Sequence, residues 1–265
     1  MRTKPMISSN VLKSFLFIPL TIVKLFSVET EKSSDLVRLE NSFQVKEKDF
    51  LKIIQNNPRS IRGWSGRGDM RLFLGDFEGA KSDYEKMIQL DPSLEVSHWR
   101  LGIAYFYLKE YESAARQFEI YHNYDAVDRE NGIWRFMSQF KSKGLKAARE
   151  GLLKYEKYDR PPYPLLYEMF AGRLSPDQVF RKIEEVDYPE NYRTRVLFHA
   201  NLYVGIYAEL VVQNKEMAKK LLRKAFENEY GQSTGTYMWQ VARLHYFQLL
   251  SRKVDDSPVP GSKEK

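Results

Sequence analysis

The sequence predicts an all-α solenoid of stacked helix pairs, and three observations predict it. The first is a period. Ile61 to Asp125 reads as two copies of one pattern offset by 34 residues, with Gly68 falling on Gly102, Phe77 on Tyr111, Ala80 on Ala114 and Tyr84 on Phe118. The second is residue size. Glycine or alanine recurs where the two helices of a pair must approach, and aromatic residues recur where the space between pairs must be filled. The third is punctuation. Gly75-Asp76 ends one helix and caps the next, and Asp91-Pro92 ends the pair, since proline cannot continue a helix from within.

Taken in order, Met1 to Ser27 is basic and then apolar, with Arg2, Lys4 and Lys13 ahead of Ser14 to Val23. That resembles a secretory signal peptide, so export to a periplasm or secretion is the expectation. An organellar leader and an ordinary cytoplasmic terminus are the alternatives. The apolar run is too short to span a bilayer. Residues 28–41 are polar and read as a linker. Ser42 to Gln55 reads as an amphipathic helix, with Phe50 and Ile53 placed 34 residues before Tyr84 and Met87. It would cap the stack as half a repeat, and the solenoid is expected over residues 42–252.

Repeats follow at 61–94, 95–128 and 129–162. The third is degenerate but keeps Ala148 in register with Ala114, and Gly144 marks its turn. A shortened pair is expected over 163–190, entered through Arg160-Pro161-Pro162. Ser175-Pro176 opens its second helix as cap and first-turn residue. Residues 191–230 recover the repeat. There Gly205 and Ala218 are 13 residues apart against 12 for Gly68 and Ala80, so the turn near Val212 to Lys215 holds one extra residue. Thr236 to Arg252 forms a C-terminal capping helix. Residues 253–265 carry prolines and mixed charge and read as a disordered tail.

The period, the small-residue slots and the turn residues resemble the tetratricopeptide repeat. That resemblance implies a scaffold whose first helices line a concave groove. Its groove-facing positions would include Trp99, Ile103, Phe106, Tyr107, Ile133 and Met137, an apolar strip suited to a peptide or helix of a protein partner. Filling of the groove by the chain's own N-terminal or last helix is the other possibility. The resemblance also locates the slots with which chaperone-binding members clamp a peptide carboxylate. They hold Ser65, Asp69, Arg100, Glu130 and Trp134, so only Arg100 is cationic and two acids oppose the ligand. That argues against a carboxylate-clamp co-chaperone.

Composition narrows the function. Aromatic residues make up 14% of the chain, ample for a core. Of the net charge of +7, four positive charges lie in the first 27 residues, which leaves +3, too little to point to nucleic acid. No cysteine is present, which removes disulfides, thiol catalysis and cysteine-ligated metal. The four histidines lack metal-ligand spacing, and no phosphate loop or hydrolase elbow occurs, so no cofactor is expected. The expectation is a non-enzymatic adaptor. The alternatives are an enzyme with a His/Glu site at His199, His245 and Glu209, or a homo-oligomer joined through Tyr237 to Leu250.

The C-terminal half carries a further resemblance, on Glu130 to Trp134, Asp159-Arg160-Pro161-Pro162, Glu168, Phe170, Gly172, Leu202 to Leu210, and Tyr237 to His245. These segments look like a group of repeat proteins of unsettled function from bacteria and plastid-bearing eukaryotes. The last 50 residues are similar to the bacterial NlpI-type lipoproteins. That resemblance implies a scaffold joining cell-wall hydrolases to a protease, here without the lipid-bearing cysteine.

Overall fold

A computed structural model describes residues 20–251, with side chains from residue 34. The expected tail, and the expected leader as far as residue 19, lie outside the described residues. Every regular element among them is helical, as expected of an all-α solenoid. The chain divides into two compact units, Met1–Ser42 and Phe43–Lys265. In the first, the described backbone is helical, where the sequence reads a linker over 28–41, and Arg38 pairs with Asp35. That helix, α1 (Leu20–Asn56), continues into the second unit.

The second unit opens on the end of α1, followed by α2 (Ile61–Phe73) and α3 (Phe77–Leu90). Ser60 caps α2 and Asp76 caps α3, each accepting a backbone N–H three residues on. Gly75 makes the turn between them at φ 83°, a left-handed conformation that glycine adopts without a Cβ penalty. The Asp91-Pro92 stop becomes a 3₁₀ turn over Pro92–Ser97, which delays α4 (Trp99–Tyr107). Then come α5 (Tyr111–Tyr124) and α6 (Arg129–Glu150), the latter broken at Gly144, φ 84°.

The close approach within each pair is specific. A Cβ on Gly68 would stand 2.6 Å from a ring carbon of Tyr84, and one on Gly102 would stand 2.7 Å from Phe118. Both rings are fully buried and cannot retreat. Gly102→Ala is therefore expected to cost about 1–3 kcal/mol by overpacking, measured by urea unfolding. In a Phe118→Leu background the same change should cost under about 1 kcal/mol, because the opposing ring is gone.

Beyond α6 the chain forms α7 (Tyr163–Phe170) and α8 (Pro176–Glu184), the latter with a full capping box between Ser175 and Gln178. Next are α9 (Glu190–Tyr207) and α10 (Lys215–Phe226). The extra residue between Gly205 and Ala218 is absorbed as a single π turn over Ala208–Val212, closed by Gln213 at φ 58°. Two further helices close the unit, α11 (Glu229–Thr234), which the sequence does not announce, and α12 (Tyr237–Ser251).

The last helix packs on α10 and also reaches back to α2, so the solenoid closes on itself. Its Tyr237 ring lies 5.1 Å from Phe73 and 4.8 Å from Trp99, centroid to centroid. Its Arg243 guanidinium donates to the Phe73 carbonyl, one of the last carbonyls of α2, where a cation suits the helix dipole. No described helix is long and apolar enough to cross a membrane.

Candidate functional site

The chain's own last helix lies against one edge of the expected groove, at Trp99 and Tyr107. Of the six residues placed on it, Ile103, Phe106, Ile133 and Met137 are buried; Trp99 and Tyr107 are only half-buried. The last helix meets the strip at these two: Tyr237 packs on Trp99, and Tyr107 Oη lies 3.1 Å from His245 Nδ1. Trp134 packs edge-on against Phe106, 5.2 Å between centroids. Four of the six expected groove residues thus lie in the packed interior, with Trp99 and Tyr107 at its edge.

The polar residues of this face form three knots. In the first, Arg100 Nη1 donates to both carboxylate oxygens of Asp69, at 2.8 and 2.7 Å, and Nη2 donates to Ser65. Tyr84 also donates to Asp69, and its oxygen lies 3.3 Å from that of Tyr237. Arg100, the one cation at the clamp slots, is thus held by the chain's own carboxylate. In the second knot, His245 Nε2 lies 2.7 Å from Glu209, tying α12 to the π turn, while Nδ1 meets Tyr107. His199 belongs elsewhere, with Nδ1 2.9 Å from Tyr163 Oη. The candidate set His199, His245 and Glu209 is therefore not assembled as one site; His245 and Glu209 meet, and each histidine has its own partners.

The third knot surrounds Glu130. Tyr203 donates to one carboxylate oxygen and Arg160 to the other, at 3.2 Å. Arg160 also pairs with Asp159 at 3.1 Å, and its guanidinium lies 4.4 Å over the Tyr163 ring. Asp159 is itself buried and accepts the Arg129 N–H. Beside this knot lies a cavity of about 300 Å³. Its wall takes Trp99 from α4, Glu130, Asn131 and Trp134 from α6, Arg195 and His199 from α9, Tyr230 from α11 and Tyr237 from α12. Arg195, Asn131 and Tyr230 carried no sequence pattern that would have singled them out.

Burial controls the protonation of this region. It pushes the Glu130 carboxyl up to about 7, with Asp128 adding to it and Arg160 opposing. It pushes the His199 imidazole down to about 3, helped by Arg160 and Arg195, and His98 down to about 4, helped by Arg100. A histidine lowered by folding binds fewer protons folded than unfolded, so its stability contribution is lost as pH falls from 6.5. Glu130 has the opposite sign, because a raised carboxyl gains stability as pH falls from about 7 toward 4.5. Between pH 6.5 and about 5, at about 1.4 kcal/mol per pH unit, His98 and His199 together outweigh Glu130. Urea unfolding should show stability falling below about pH 6. His199→Gln should flatten that fall. Glu130→Gln should steepen it while adding about 1–3 kcal/mol at pH 8.

Residues 61–94 match the family model described as the tetratricopeptide repeat. This stretch is a tetratricopeptide repeat. It holds Gly68, Tyr84 and the Asp69 half of the first knot, and the tetratricopeptide packing of small residue against ring recurs at Gly102 and Phe118. Among known proteins, the chain is 26% identical over 172 residues to the Hsp70-Hsp90 organizing protein of Triticum aestivum, covering 64% of this chain and 28% of that protein. It is 29% identical over 165 residues to Hsp70-Hsp90 organizing protein 3 of Arabidopsis thaliana, covering 62% and 28%. It is 24% identical over 100 residues to the Protein SGT1 homolog of Oryza sativa subsp. japonica, covering 38% and 27%. The chain thus spans under a third of the length of these relatives. A crystal structure of a tetratricopeptide repeat protein from Parabacteroides merdae aligns at 15% identity and a TM-score of 0.46, over 81% of this chain and 80% of that one.

Proposed function

We propose that the chain is a non-enzymatic adaptor that binds a protein partner along the edge of the seam between the repeats and α12. The observation that carries this reading is the half-buried pair Trp99 and Tyr107. They are the two residues of the apolar strip that stay only half-buried, with α12 packed against one side of them. Aromatic residues at such an edge offer large contact area at little entropic cost. Support comes also from the tetratricopeptide repeat and from relatives named as organizers of Hsp70 and Hsp90. The mode of binding proposed here differs from a carboxylate clamp, because Asp69 already neutralises Arg100. The histidines act as internal ties on this reading.

The test is photocrosslinking in the protein's own cells, with p-benzoylphenylalanine in place of Trp99. Replacement of Tyr158, which is 75% exposed on the link after α6, serves as the control. Crosslinks to a protein from position 99 and none from 158 support the proposal. Crosslinks from 158 alone, or from neither position, overturn it.

A further inference from the structure

The cavity beside Glu130 contains polar groups that the fold does not use. Asn131 is 4% exposed, lines the cavity, and its side chain makes no hydrogen bond among the described residues. An amide that faces a cavity without a protein partner can offer both its donor and its acceptor to a ligand. His199 bonds Tyr163 through Nδ1, and its ring lines the same cavity. Arg195 also lines it and makes no ion pair among the described residues; its guanidinium lies 5.8 Å from the Tyr230 ring centre.

The carboxylates of the wall are in the opposite situation. Glu130 is held by Tyr203 and Arg160. Asp128 accepts the Glu130 N–H at 3.0 Å and faces Arg160 at 3.6 Å. The wall therefore matches each of its acids internally and leaves one cation and one amide unmatched. A space of this volume is only about 8 Å across, so those groups converge on one small ligand. The rest of the lining is mostly aromatic, Trp99, Trp134, Tyr230 and Tyr237, with Thr236 and Met238 beside them.

We propose that this cavity binds a small organic acid bearing an aromatic ring, its carboxylate on Arg195 and Asn131 and its ring among Trp99, Tyr230 and Tyr237. The volume admits about ten non-hydrogen atoms, the size of a substituted benzoate or phenylacetate. Arg195 supplies the charge-assisted hydrogen bonds that separate an acid from its neutral amide. The proposal does not rest on the adaptor reading, though the two share Trp99.

Phenylacetate is the probe, with phenylacetamide as its neutral isostere and acetate as the anion without a ring. Binding is read on the full chain through tryptophan fluorescence and the indole N–H resonances of Trp99 and Trp134. Phenylacetate is expected to saturate near a millimolar or tighter, as suits about ten atoms. Phenylacetamide should bind at least about tenfold more weakly, and acetate should not perturb the indoles. Arg195→Gln should erase the acid-over-amide preference without lowering the melting temperature, and Arg195→Lys should keep part of it. Equal binding of acid and amide, no saturation by about 20 mM, or an unchanged preference in Arg195→Gln would overturn the proposal.

Discussion

Asp69→Ala is expected to destabilise the protein by about 3–5 kcal/mol. The carboxylate holds both bonds from Arg100 Nη1 and the hydroxyl of Tyr84, and it lies only 22% exposed. Its loss leaves the Arg100 guanidinium, 25% exposed, without its counter-charge, and the buried Tyr84 hydroxyl without its acceptor. An uncompensated buried charge costs more than the pair is worth, so removing both partners should cost less than removing one. Arg100→Met in the Asp69→Ala background is therefore expected to recover about 1–3 kcal/mol. Urea unfolding of the wild type, both singles and the double gives the cycle. Burial raises the Asp69 carboxyl, with Arg100 and Tyr84 opposing. Asp69→Asn should accordingly cost less than Asp69→Ala, since it keeps an acceptor for Tyr84.

Arg243→Ala is expected to cost about 2–4 kcal/mol and to loosen α12 from α2. The side chain is 2% exposed, donates to Gln240 and to the Phe73 carbonyl, and lies 5.9 Å from the Phe43 ring centre. Its removal opens a cavity and leaves a buried carbonyl unpaired. Arg243→Lys should recover only part of the loss, since an ammonium lacks the fork that bonds Gln240 and the carbonyl together. Hydrogen exchange would localise the effect: amides of α12 and of the end of α2 should lose protection while α5 keeps its own.

These two residues show what the sequence could and could not disclose. Gly68 and Tyr84 are 16 positions apart, within one repeat, and the same pairing recurs a period later, so pattern alone exposes it. Arg243 and Phe73 are 170 positions apart, and Tyr84 and Tyr237 are 153 apart. Those contacts depend on how tightly the helix pairs curve, which no local spacing states. The extra residue before Ala218 was countable, but its form as a π turn was not. Glu130, Trp134, Asp159 and Arg160 stood out as segments resembling a family, yet only the fold brings Glu130 and Arg160 together. Tyr230 sits on a six-residue helix, too short to carry a helical period.

The return of α12 onto α2 and the start of α4 is what ties the two ends of the solenoid together. The most direct test is the set of nuclear Overhauser contacts from the Tyr237 ring in the full chain. Ring centroids 5.1 Å from Phe73 and 4.8 Å from Trp99 place their protons well within range, so cross-peaks to both rings are the predicted result. A Tyr237 ring with contacts to neither, together with a Trp99 indole exposed to solvent, would contradict the account.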